Sequence, residues 1–251
     1  MINVVQLGRV EYGVALDLQR SLVGLRKEGK IADTLLLLEH PPVITLGRNA
    51  DRGNVLASEE ALRQRGVALF ECDRGGDVTY HGPGQLVGYP IFDLRGFEPR
   101  LGAVAFVRRV EEALIRTCAD LGIEAERVAG RTGVWTRGGK IAAIGVHISR
   151  GVTSHGFALN VSTDLDAFLL IVPCGISDKP VTSMAREKEL GRAPALDEVA
   201  QSVARNFGRV FSSQVLWVET LDTLLGRTVG VPMKVPAELR ALHGDDESFR
   251  A

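Results

Sequence analysis

Apolar residues along this chain follow two rhythms, short dense runs and longer stretches spaced by three and four. Residues 2–7 read as a strand, and Val14, Leu18, Leu22 and Leu25 then recur at helical spacing until Lys27-Glu28-Gly29 supplies a stop. Residues 33–38 are too short and too uniformly apolar for a surface helix, and Pro41 and Pro42 end them, so they predict a buried strand. A second strand starts at 43–46. Ser58 predicts an N-cap with Glu59 and Glu60 in the first turn of a helix to about Gln64, before a strand over 67–72. After a strand at 86–92, the segment 101–121 places Val107, Val110, Leu114, Cys118 and Leu121 on one helical face. Segments 133–136 and 140–149 predict a hairpin turned at Arg137-Gly138-Gly139, with a further strand at 156–161. Leu196, Val199, Val203, Phe207 and Val210 mark another amphipathic helix, followed by a strand at 215–218. Short turns between strands and long helices predict an α+β fold, a mixed, largely antiparallel sheet flanked by helices. From Arg227 the pattern weakens, with Pro232, Pro236 and a polar Gly-Asp-Asp-Glu-Ser stretch. The expected organisation is therefore one domain over 1–226 and a C-terminal extension over 227–251, to which no role is assigned.

Composition adds constraints. No run approaches the roughly 20 apolar residues that span a bilayer, and the N-terminus lacks a basic region followed by an apolar one, so no membrane association and a cytoplasmic address are expected. A net charge of −1 argues against nucleic acid as a partner. Cys72, Cys118 and Cys174 are odd in number and widely spaced, which predicts reduced thiols and no metal site. A monomer is expected, because no surface stripe announces an interface.

Candidate chemistry concentrates in two places. Arg74-Gly75-Gly76-Asp77-Val78-Thr79-Tyr80-His81-Gly82-Pro83-Gly84-Gln85 is poor core material and good ligand-wall material, since glycine lets the main chain approach a bound group. A β-hairpin whose tight turns need glycine is the bland alternative. Pro173-Cys174-Gly175 follows the apolar run 169–172, which places a thiol where a packed element gives way to a rigid turn. That suits a nucleophile, whereas Cys118, on a helix's apolar face, reads as a small buried hydrophobe. An activator for Cys174 is sought among His81, His147, His155 and Lys140. Lys140 follows two glycines and opens the apolar run 141–146, so it is either an ammonium beside the core or an exposed hairpin-tip lysine. His40 and His243 read as structural or solvent-exposed. Arg48, Arg74, Arg131, Arg137 and Arg150 are candidates for a basic patch that steers an acidic partner.

Five ordered blocks then carry a family resemblance: Glu39-His40-Pro41-Pro42-Val43, the octapeptide at 74–81 with Gly84-Gln85, Gly138-Gly139-Lys140-Ile141-Ala142-Ala143-Ile144-Gly145, Gly156-Phe157-Ala158-Leu159-Asn160, and Pro173-Cys174-Gly175-Ile176. The chain resembles the lipoyl(octanoyl) transferases of the biotin/lipoate protein ligase superfamily. The resemblance implies that fold, and transfer of an octanoyl group from octanoyl-acyl carrier protein to a lysine of lipoyl domains. The acceptors would be lipoyl domains of 2-oxoacid dehydrogenase complexes and the glycine cleavage H protein, with no cofactor. It implies Cys174 as the acyl-accepting nucleophile and Lys140 as the residue that lowers the thiol's pKa and acts as general acid or base. Arg74, Gly75, Gly76, Asp77, Val78, Thr79, Tyr80, His81, Ala143, Ile144, Gly145, Gly156, Phe157 and Ala158 match the segments lining the acyl pocket. An ATP-dependent lipoate-protein ligase, a cysteine thioesterase and a non-catalytic acyl or lipoyl-domain binder remain the alternatives.

Overall fold

The leucines at 35–38 organise the molecule, because a strand apolar at every position has to be covered on both faces. In the computed structural model, which describes residues 1–173, 179–188 and 193–224, Leu35 and Leu37 pack into one core and Leu36 and Leu38 into another. The elements run β1 (Ile2–Arg9), α1 (Tyr12–Lys27), β2 (Asp33–Glu39), β3 (Val43–Leu46), α2 (Glu59–Gln64), β4 (Ala68–Glu71), β5 (Val78–His81), β6 (Gln85–Ile91), α3 (Ala103–Asp120), β7 (Glu126–Val128), β8 (Arg131–Thr136), β9 (Gly139–Ser149), β10 (Val152–Asn160), α4 (Met184–Glu187), α5 (Leu196–Val210), β11 (Val215–Trp217) and α6 (Leu221–Leu224).

The expected mixed, largely antiparallel sheet flanked by helices is present, and a second, smaller sheet accompanies it. Eight strands lie in the order β11-β1-β2-β6-β10-β9-β8-β7, and three in the order β4-β3-β5. β1 runs parallel to β2 and β11, while β2–β6, β6–β10, β10–β9, β9–β8 and β8–β7 are antiparallel. Pro41 and Pro42 explain the break after β2, since proline cannot donate to a ladder and turns the chain away. Helices α3 and α5 cover one face of the large sheet through Phe106, Leu114, Val203 and Phe207, where the edge-to-face rings of Phe92, Phe106 and Phe211 meet. Helix α1 covers the other face through Ala15, Leu18 and Leu22. The small sheet has its own core of Ile44, Leu46, Val78 and Tyr80 against Leu62 and the 3-10 turn Leu165–Leu170.

Local signals account for most boundaries. Ser58 Oγ accepts from the Ala61 N–H and starts α2. Strand β10 starts four residues before the expected 156, because Arg150-Gly151, both with positive φ (53° and 85°), closes a two-residue hairpin from β9. The three- and four-residue elements β7, α4 and α6 carry too little periodicity to read. The extension assigned to 227–251 lies, with 225–226, outside the described residues.

Candidate active site

The glycine-rich stretch is not a hairpin. Strand β5 pairs with β3 in the small sheet and β6 pairs with β2 and β10 in the large one, so residues 74–85 cross from one sheet to the other. Backbone contacts hold the crossing on both sides. The Gly75 N–H donates to the Val146 carbonyl (3.1 Å), and the Arg48 N–H to the Arg74 carbonyl (3.0 Å). The first of these approaches needs glycine in β9, because a Cβ on Gly145 would lie 2.6 Å from the Gly75 carbonyl oxygen.

Between the crossing, α1 and strands β6, β9 and β10 lies a narrow cleft of about 50 Å³. Of the fourteen pocket candidates, Arg74, Gly75, Gly76, Thr79, His81, Ala143, Ile144, Gly145, Gly156, Phe157 and Ala158 line it. Asp77, Val78 and Tyr80 do not. Strand alternation sends Thr79 and His81 toward the cleft and Val78 and Tyr80 into the small core, where Tyr80 packs on Phe168. Asp77 instead accepts from the Asp51 N–H (2.9 Å) and from Asn54 Nδ2 (2.5 Å).

A second, smaller lobe of about 20 Å³ adjoins the first, sharing Thr79, Ala143 and Ala158, and is closed by Gln85, Lys140, Asn160, Phe168, Pro173 and Val181. Lys140 is no hairpin-tip lysine. It is buried at 9% exposure, with its Nζ 5.3 Å from the centre of the Trp135 ring. Its backbone pairs with residues 180–182: the Lys140 N–H donates to the Pro180 carbonyl (2.9 Å) and its carbonyl accepts from the Thr182 N–H (3.0 Å). Cys174 lies outside the described residues. Of the other thiols, Cys118 is pushed up to about 12 by burial and by Glu187, and Cys72 donates to the Leu46 carbonyl (3.4 Å).

A buried polar chain ties the two lobes together. Arg74 donates to the Thr45 carbonyl (2.6 Å), to Thr45 Oγ1 (3.1 Å) and to the Gly75 carbonyl (3.1 Å). Its guanidinium therefore braces the cleft wall from inside, and Arg74 leaves the proposed surface patch, of which Arg48, Arg137 and Arg150 are exposed. His81 Nδ1 lies 2.8 Å from Gln85 Oε1, Gln85 Nε2 donates to Asn160 Oδ1 (2.9 Å), and Asn160 Nδ2 donates to the Thr182 carbonyl (2.9 Å). Burial, helped by the neighbouring His40, pushes His81 down to about 3, so its ring is neutral and donates through Nδ1 to the amide oxygen.

The family follows from comparison with known proteins. Residues 11–208 match the lipoyl protein ligase A/B catalytic domain. An octanoyltransferase of Koribacter versatilis is 64% identical over 249 residues, 98% of each chain. The chain belongs to the octanoyltransferases. It is thus an acyltransferase of protein lipoylation. An octanoyltransferase of Acidobacterium capsulatum is 63% identical, covering 90% of this chain and 96% of its own. The fold is that of a bi-partite lipoate protein ligase from Thermoplasma acidophilum, with a TM-score of 0.68 at 17% identity over 100% of this chain and 95% of that one.

The enzyme's cleft also contains residues that periodicity did not single out as lining. Tyr12, at the start of α1, joins Val87, Tyr89 and His155 there. His40, read as structural or exposed, is fully buried behind them, with Nδ1 2.6 Å from the Val10 carbonyl and Nε2 2.7 Å from Tyr89 Oη. Burial pushes His40 down to about 4, so Nδ1–H donates to Val10 and Tyr89 donates to Nε2. His155 Nε2 lies 2.8 Å from Asp73. Burial holds the ring below the ordinary histidine value against the pull of Asp73, whose own carboxyl is held down, in spite of its partial burial, by His155 and His147. Burial, then Tyr89 and Cys72, push the Tyr12 phenol up, so it is a neutral donor. Among the described residues no group of three or more His, Cys, Asp or Glu side chains is placed to hold a metal ion. No helix among them is long and apolar enough to cross a membrane.

Proposed function

We propose that this enzyme takes an octanoyl group from octanoyl-acyl carrier protein onto the Cys174 sulfur and passes it to a lysine ε-amine of a lipoyl domain. The acceptors would be the lipoyl domains of 2-oxoacid dehydrogenase complexes and the glycine cleavage H protein, and the enzyme would act as a monomer in the cytoplasm. The observation that carries this reading is the shared lobe of Lys140 and Pro173. Cys174 is peptide-bonded to Pro173, and a trans peptide separates consecutive Cα atoms by about 3.8 Å. The chain then returns at Pro180, whose carbonyl accepts from the Lys140 N–H. One end of the segment bearing the thiol thus lines the lobe that holds Lys140, and the other pairs with the Lys140 backbone. The adjoining cleft supplies apolar walls from Val87, Ala143, Ile144, Phe157 and Ala158, which suit an acyl chain.

The reaction balances without nucleotide. The Cys174 thiolate attacks the thioester carbonyl carbon; the carbon–sulfur bond to the carrier breaks, and the departing thiolate takes a proton from Lys140. The acceptor amine then attacks the same carbon, gives a proton back to Lys140, and expels the Cys174 thiolate. Exposed Arg48, Arg137 and Arg150 are available to steer an acidic carrier protein.

Intact-protein mass spectrometry after mixing with octanoyl-carrier protein tests the reading. The expected result is a shift by one octanoyl group, absent in Cys174→Ser and discharged by an apo-lipoyl domain without ATP. A requirement for ATP would assign the ligase reaction instead, and discharge by water alone would assign a thioesterase.

A further inference from the structure

The cleft holds two buried polar atoms that make no hydrogen bond of regular geometry among the described residues. Tyr12 Oη and His155 Nδ1 both belong to side chains that line the cleft and each residue is 2% exposed; neither atom makes a hydrogen bond of regular geometry among the described residues, although the Cys72 thiol lies close enough to act on the Tyr12 phenol. Buried polar atoms are almost always paired, with protein or with ordered water, so two such atoms lining one cleft point to something that enters it.

Their chemistry is complementary. The neutral Tyr12 phenol has an O–H to give. His155 spends Nε2–H on Asp73, 2.8 Å away, which leaves the Nδ1 lone pair to accept. His155 is also held hard in place: its φ of 53° is unusual for a non-glycine residue, and its N–H donates to Gln19 Oε1 (2.7 Å) from the core-facing side of α1. A strained residue fixed through both its backbone and its ring is an expected feature of a ligand site. Tyr12 is fixed likewise, stacked on His81 with ring centres 6.1 Å apart and edge-on to His40 at 5.2 Å. The aromatic set Tyr12, His81, Tyr89 and His155 lies in the lobe that lacks Lys140, whereas Lys140 and Pro173 lie in the other. A chain attached near Lys140 passes Thr79, Ala143 and Ala158, shared by both lobes, before it reaches the polar set.

We propose that Tyr12 and His155 form a polar stop that sets the permitted length of the acyl chain. A water accepting from Tyr12 and donating to His155 Nδ1 occupies the stop when the chain is short. A methyl end that advances far enough displaces that water and leaves donor and acceptor buried and unpaired. A hydroxyl end of the same length replaces the water and keeps both bonds. This rests on the acyl-transfer reading above. It goes beyond it in assigning chain-length selectivity to two named polar atoms rather than to the depth of an apolar slot, and in predicting that the site takes ω-hydroxyacyl groups beyond its hydrocarbon limit.

The test charges acyl carrier protein with saturated chains of increasing length, and with ω-hydroxyacyl chains matched to each in heavy-atom count. Single-turnover transfer to the enzyme is followed by intact mass. At the length where the saturated chain first fails, the matched ω-hydroxy chain is expected to transfer about tenfold faster, because a site built to hydrogen-bond rejects an analogue lacking the polar group. In Tyr12→Phe that preference is expected to fall about threefold or more, and the saturated limit to move to a longer chain. If octanoyl transfers but saturated and ω-hydroxy chains fail together at the same length in the wild type, the polar stop is refuted while the acyl-transfer reading stands. That comparison needs no variant to fold. If octanoyl itself does not transfer, both fall.

Discussion

The neutral histidines behind the cleft make a quantitative prediction for acid. His40 and His81, with ring centres 5.7 Å apart, are buried to 0% and 6% exposure and pushed down to about 4 and about 3. In the unfolded chain each returns to about 6.5. The unfolded state therefore binds more protons below that value, and stability, complete above pH 6.5, falls as the pH drops toward the folded values. At pH 5 each unfolded imidazole is about 97% protonated while each folded ring stays neutral, a difference of roughly 1.5 pH units. At 1.36 kcal/mol per unit this is about 2 kcal/mol per histidine and about 4 kcal/mol for the pair. The figure scarcely depends on the folded values so long as both lie below 5, and their mutual repulsion plays no part while both are neutral. His155, also held low by burial, acts in the same direction. Asp73, Asp93, Glu112 and Asp120, whose carboxyls are held down, add their own losses mainly below pH 5. Urea unfolding at pH 7.5, 6.5, 5.5 and 5.0, followed by fluorescence of the buried Trp135, isolates the histidine contribution. His81→Asn, less stable at pH 7.5, should lose about 2 kcal/mol less over that range than the wild type. A wild-type loss below about 1 kcal/mol between pH 7.5 and 5.0 would refute neutral burial of these rings.

Three substitutions probe the site itself. Lys140→Ala should slow single-turnover acylation of Cys174 at neutral pH by about 10²–10⁴-fold, the usual contribution of a positioned acid or base, and an unchanged rate would remove Lys140 from the mechanism. Gly145→Ala puts a methyl group 2.6 Å from the Gly75 carbonyl oxygen. The glycine crossing must then separate from β9, costing about 1–3 kcal/mol in urea unfolding and weakening acyl binding; a fully active, equally stable variant would contradict the backbone contact. Gln85→Leu strands the His81 Nδ1–H and Asn160 Oδ1, each worth about 1–3 kcal/mol when left buried and unpaired, and its unfolding midpoint in urea should fall accordingly.

The sequence made much of the scaffold readable because much of it is local physics. The helical spacing from Val14 to Leu25, the Ser58 cap and the uniformly apolar Leu35–Leu38 each determine their element through nearest neighbours, and α1, α2 and β2 follow. The split into two sheets was not legible in the same way. It depends on where β5 finds a partner, and residues 78–81 pair with 43–46, more than thirty positions back, rather than with β6 four positions on.

The limits of the site reading have a similar cause, with one instructive exception. Tyr12 and His155 reach the cleft from elements 143 positions apart, and no spacing in the chain relates a helix-start tyrosine to a strand histidine; the fold alone brings them together. Val78 and Tyr80 are different. Motif resemblance marks all eight residues from Arg74 to His81 alike, yet once 78–81 is a strand its side chains must alternate between two faces. Thr79 and His81, the pair able to offer directional polar contacts to a ligand, face the cleft, while Val78 and Tyr80 supply the apolar contacts that press the small sheet onto Phe168. The motif therefore interleaves cleft-lining and core-packing positions at a period of two. Substitutions at Val78 and Tyr80 should weaken the enzyme through folding, and those at Thr79 and His81 through the bound acyl group.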